Sequence, residues 1–142
     1  MGLFDRFLGN KVDYPPLSAG NPAMAKLDEV KAPLEELARK VSDHMEVVPA
    51  EHEAFVFLGK PPKKFGIAWI HDGKVTSLKE FAEEHHLSQL NVGKLIAQFG
   101  EAYEHASEMP RYSAEFAGKQ MVVIPSKDLE QEMHQIMANT LH

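Results

Sequence analysis

The chain contains no cysteine, so disulfides, thiolate metal centres, cysteine-ligated iron–sulfur clusters and cysteine nucleophiles are all excluded. It is also short of cations: 15 Lys+Arg stand against 21 Asp+Glu, a formal charge of −6. A basic footprint spread over the whole molecule, the usual means of holding a nucleic-acid backbone, is thereby ruled out. No run approaches the roughly 18 consecutive apolar residues of a membrane-spanning helix. Glycine and proline, nine of each, are close to average usage, which excludes low-complexity behaviour. What is there, 142 residues of which 44% are hydrophobic and 25% charged, is the mix of one globular domain. The missing cysteines fit a cytoplasmic setting.

Residues 1–22 stand apart from that domain. Leu3, Phe4, Phe7 and Leu8 fall on one side of a short amphipathic helix, with Asp5 and Arg6 between them. Those two charges break the unbroken apolar run that a secretory signal needs, and Arg6 stands where a myristoylation signal has Ser or Thr. The four apolar residues read as an anchor for a partner or a membrane surface, or as a terminal segment folded back onto the domain. Pro15, Pro16, Gly20, Asn21 and Pro22 mark an extended linker. The α+β domain is expected over 23–142.

From Met24 to Met45 the apolar residues Met24, Leu27, Val30, Leu34, Leu37, Val41 and Met45 recur at intervals of three and four, which predicts a helix, bent or restarted at Pro33. Beyond Pro49 the period changes. Ala54–Leu58 and Phe65–His71 read as strands separated by Pro61 and Pro62, and Asp72-Gly73 turns the chain into a brief return strand at Val75 and Thr76. Ser77-Leu78-Lys79-Glu80 is a capping box opening a helix. Ser88 caps a second, longer helix with Val92, Leu95, Ile96, Phe99, Tyr103 and Ala106 along one face. Arg111–Phe116 and Lys119–Ile124 form a hairpin through Ala117-Gly118, and Ser126 caps a last helix carrying Leu129, Met133, Ile136, Met137 and Leu141.

The stretch Leu78–Phe99 resembles a helix-turn-helix unit. Phe81 and Ala82 match the apolar and small residues of its first helix, Leu87 the apolar residue after the turn, and Val92 and Leu95 the inward positions of its second helix. His86 stands where glycine is usual; histidine visits the left-handed backbone region more readily than most residues. The element order, with helix, strand, two-helix unit and hairpin in succession, is similar to that of a winged helix-turn-helix domain with an added C-terminal helix. The resemblance implies that Ser88, Gln89, Asn91 and Lys94 would face DNA, with Arg111 and Lys119 on the wing.

Local charge argues against that use. Residues 76–110 hold two cations, Lys79 and Lys94, against six glutamates, a net of −4, whereas duplex binding draws on several Lys or Arg that neutralise phosphates. Leu90, among the outward residues, suits a protein partner better. Only residues 51–75 carry an excess of cations, and Lys60, Lys63 and Lys64 flank a double proline there. They offer a weak anion contact, or a solvated loop that blunts an edge strand.

Eight histidines invite a metal, yet no His-Glu-x-x-His spacing occurs; Glu101 and His105, four apart, are the nearest to a ligand pair. Ser77, Ser88 and Ser126 are better explained as caps than as nucleophiles. No catalytic residue, cofactor or metal ligand is therefore assigned. The expectation is an α+β, winged-helix-like, non-enzymatic binding or regulatory protein acting on a protein partner or as a homodimer. Its rivals are a DNA-binding regulator and a histidine-based metal sensor or enzyme.

Overall fold

The computed structural model describes residues 14–140; the apolar positions Leu3, Phe4, Phe7 and Leu8, and Leu141 of the last helix, lie outside them. Among the described residues the chain forms α1 (Pro22–Glu29), α2 (Lys31–Lys40), β1 (Met45–Ala50), β2 (Glu53–Lys60), β3 (Lys64–His71), β4 (Lys74–Ser77), α3 (Leu78–Glu84), α4 (Gln89–His105), β5 (Tyr112–Phe116), β6 (Lys119–Val123) and α5 (Lys127–Thr140). The six strands make one sheet in the order β4-β3-β2-β1-β6-β5. Every neighbouring pair is antiparallel except β1 and β6. The fold is α+β, as the alternation of apolar periods predicts.

Both faces of this sheet are covered, and alternate residues of each strand serve opposite cores. Met45, Val47, Ala54, Val56, Ala68 and Ile70 pack with Leu27 of α1, Leu34 and Leu37 of α2, and Val30 between the two helices. Val48, Phe55, Phe57 and Ile67 pack with Phe81, Leu95, Phe99, Leu129 and Met133 of α3, α4 and α5. Helix α2 meets both edge strands, β4 and β5. A flat sheet of six strands would be about 24 Å across, so the sheet curls around this helix.

The helical stretch expected over 24–45, bent or restarted at Pro33, is two helices and the start of a strand. Val30 leaves helical geometry at φ −113°, ψ 16°, and α2 restarts at Lys31. Pro33 thus sits in the first turn of α2, where a missing N–H breaks no intrahelical bond. Met45, which continues the helical spacing, opens β1, the strand buried along its whole length. Covered on both faces, β1 lacks the polar alternation that reveals a half-buried strand. Pro49 is tolerated inside it because β6 pairs only with Glu46 and Val47. The Val47 carbonyl accepts the Ile124 N–H at 2.8 Å, but no strand stands opposite the N–H that proline lacks.

The linker prolines are extended, and the chain there is tied to the sheet. Pro16 bridges Ser113 in parallel, the Ser113 N–H donates to Pro15, the Leu17 N–H donates to Ser113, each at 2.8 Å, and Leu17 is buried. This covers the outer edge of β5. The hairpin β5–β6 follows the helix pair as in a winged unit, but it joins a six-stranded sheet through β6, and nothing in the arrangement identifies a winged helix.

Candidate interaction surface on the helix pair

Helix α3 begins where the sequence places its capping box. The Glu80 N–H donates to Ser77 Oγ at 3.1 Å and the Ser77 N–H to Glu80 Oε1 at 3.2 Å. Leu78 and Phe81 are buried, and the chain leaves the helix through His86, which adopts the left-handed conformation at φ 52°. The Leu87 N–H then bonds back to the Ala82 carbonyl at 2.9 Å, satisfying one of the orphan acceptors of the helix end. Ser88 caps α4 by accepting the Asn91 N–H at 3.1 Å. Leu95, Phe99 and Ala102 face inward.

Between α3 and the first turns of α4 lies an open groove of about 690 Å³. Leu78, Ala82, Leu87, Val92 and Ile96 line it, with Lys79, Glu83, His86 and Gln89 around them. Leu90, one residue from Gln89, is 69% exposed, the highest value among the exposed large hydrophobic residues described. Gln89, Asn91 and Lys94 are exposed on the same turns, while the Ser88 hydroxyl is engaged in its cap.

The two hairpin cations are elsewhere. The Lys119 ammonium donates to the carbonyls of Val41 at 2.9 Å and Asp43 at 2.6 Å, closing the end of α2. Burial lowers its pKa, and Asp43 partly offsets the shift. Arg111 donates to the carbonyls of Ala106, Ser107 and Met109 at 3.1, 3.5 and 3.0 Å, binding the C-terminal end of α4. Its guanidinium also lies over the Tyr103 ring, 5.3 Å from the centroid. Lys60, Lys63 and Lys64 are exposed around the β2–β3 turn. That turn abuts α4 at Gly100, where a Cβ would come within 3.3 Å of the Pro62 carbonyl. Ser88, Gln89, Leu90, Asn91 and Lys94 all lie in the first two turns of α4 or at its cap, whereas the side chains of Arg111 and Lys119 are bonded to main-chain carbonyls.

Comparison with the known protein families, the curated proteins and the solved structures finds no match to this chain. The chemistry of the surface must be judged on its residues alone.

Two polar clusters have no signal in the sequence. Glu46, on the α4 side of β1, accepts the Tyr103 hydroxyl at 2.8 Å, lies 3.4 Å from His44 Nε2 and is 4.0 Å from Arg111 Nε. Burial, then the adjacent Glu46 carboxylate, pushes Tyr103 up to about 12. Because the folded value lies above the ordinary one of about 10, the neutral phenol's contribution is complete below pH 10. Stability is expected to fall between about pH 10 and about 12, where the unfolded chain has released this proton and the folded chain has not. Alkaline denaturation of the wild type against Tyr103→Phe measures this, and an unchanged pH profile in the variant would contradict it. The second cluster joins Trp69 Nε1 and His134 Nε2 to opposite oxygens of Glu53 at 2.8 and 2.9 Å. These partners are far apart in the chain, so no local spacing announces them.

Five of the histidines, His44, His52, His71, His105 and His134, contact carboxylates. His105 Nδ1 is 2.9 Å from Glu132 and its Nε2 3.8 Å from Glu101; His52 contacts Glu29 and His71 contacts Asp72. Among the described residues no group of three His, Asp or Glu side chains could hold a metal ion. A second pocket of about 360 Å³ includes the starts of α1 and α5, where Asn21 and Ser126 already accept N–H groups of Ala23 and Leu129. No described helix is long and apolar enough to cross a membrane.

Proposed function

We propose that the protein is a non-enzymatic binding protein that presents the α3–α4 face to a protein partner. The observation that carries this reading is the exposure of Leu90 on the first turn of α4, the helix that also forms one wall of an open groove with an apolar lining. A large aliphatic side chain with no packing role gains free energy only by being covered. The charge of this region supports a protein over a duplex: Lys79 and Lys94 face six glutamates between residues 76 and 110, and the two hairpin cations are bonded to main-chain carbonyls.

Proximity labelling or affinity capture from the source cells, with wild type compared against Leu90→Glu, tests the reading. A defined set of proteins retained by the wild type is expected to fall by about tenfold with the variant, the effect of losing one central contact. Folding stability should stay within about 0.5 kcal/mol, as for an exposed position. Equal capture by both would overturn it. Salt-dependent binding of mixed duplex DNA, lost on Lys94→Glu, would replace it with the DNA-binding alternative.

A further inference from the structure

We infer that the outward row of α4, Leu90, Lys94, Ala97 and Glu101, docks a second copy of this chain, the two α4 helices lying antiparallel about a twofold axis beside Ala97. This rests on the reading of Leu90 as a contact side chain. The four residues follow one another at intervals of four, three and four, so they share one side of the helix. That side is opposite Leu95, Phe99 and Ala102, which face the core. All four residues of the row are exposed.

Its charges make the row its own complement. Lys94 and Glu101 are opposite in sign and stand about 10 Å apart along the helix at 1.5 Å per residue, evenly to either side of Ala97 and Gln98. A twofold axis at that midpoint sets Lys94 of each copy against Glu101 of the other, so one contact supplies two ion pairs. The Glu101 side chain is 70% exposed, and its contact with His105 within the chain, at 3.8 Å, is too long for a hydrogen bond. Side chains lean toward the start of their helix, so Leu90 of each copy reaches the far end of the other α4, where Met109 is also an exposed large hydrophobic residue. An unrelated protein would have to match this pattern, whereas a second copy does so by construction. Val92 and Ile96 lie off the row, on the groove, which the dimer leaves open. For the 17 residues of α4 the contact is a strip about 25 Å long and about 10 Å wide, below the size of a standard stable interface. The dimer therefore dissociates readily, with a constant on the order of 10 μM.

Sedimentation of the full-length protein from about 1 μM to about 1 mM should show a monomer–dimer equilibrium. Lys94→Glu and Glu101→Lys each bring like charges together across the axis, and each should weaken association by at least about tenfold. Mixing these two variants should restore association to the wild-type level, because in the mixed pair every glutamate of the row meets a lysine. The double variant Lys94→Glu with Glu101→Lys should associate as the wild type does. A defect in the fold of either variant could not be repaired by mixing, so the recovery reads the contact itself. A wild type that stays monomeric up to about 1 mM, single variants that associate like the wild type, or a mixture that stays monomeric would each overturn the proposal. The capture experiment with Leu90→Glu separates this inference from the reading beneath it. A monomeric wild type whose capture still depends on Leu90 removes the second copy alone, and capture that ignores Leu90 removes the reading of the face.

Discussion

Replacing Arg111 with alanine is expected to cost about 3–4 kcal/mol of folding stability, read as a lower urea midpoint with an unchanged slope. The side chains of Arg111 and Glu46 are only 9% and 8% exposed. Their separation of 4.0 Å is long for a direct ion pair, so the worth of Arg111 does not lie in that contact alone. It closes the end of α4 by bonding to three carbonyls, covers the Tyr103 ring and supplies the nearest full positive charge to a buried carboxylate. Alanine removes all three at once and leaves Glu46 with Tyr103 and His44. An uncompensated buried charge is far more costly than the pair itself is favourable. Glu46→Gln provides the contrast. The amide oxygen still accepts the Tyr103 hydroxyl, no charge is left buried, and Arg111 keeps its carbonyls, so the loss should be about 1 kcal/mol. Equal losses for the two variants would mean that leaving the Glu46 carboxylate without Arg111 carries no extra cost, since both variants keep the hydrogen bond to Tyr103.

The parts of this fold that were legible in the sequence are those fixed by chemistry within a few residues. Ser77, Ser88 and Ser126 each cap the helix they were expected to cap. Ala117 and Gly118 both take positive φ, as a two-residue hairpin turn requires. Strand β1 escaped because it is buried on both faces and because Met45 falls in step with the helical spacing that precedes it. The groove was half legible. Ala82 matches the small residue of the first helix and Val92 an inward position of the second, but inward spacing does not reveal that the helices leave their contact open between Leu78 and Ile96. Arg111 and Lys119 read as outward cations because hairpin alternation carries no information about carbonyls at residues 41, 43 and 106. The charge argument from the sequence is thereby strengthened, since both hairpin cations are already bonded within the chain.

Phe99→Ala should destabilise the fold by about 4 kcal/mol, near the middle of the range for a large aromatic truncated in a packed core. Phe99 is fully buried, on the face of α4 that closes the second core with Phe57, Leu95 and Met133. Neither the helix nor the sheet can collapse readily into the space, because the β2–β3 turn is held against the same helix at Gly100. Leu90→Ala, nine residues earlier on the same helix, should change stability by less than about 0.5 kcal/mol. Urea titration of the two variants under one set of conditions checks both figures. The contrast bears on function as well as on packing. With Leu90 exposed and its removal within that limit, the energy left for this side chain to contribute is at an interface with another molecule.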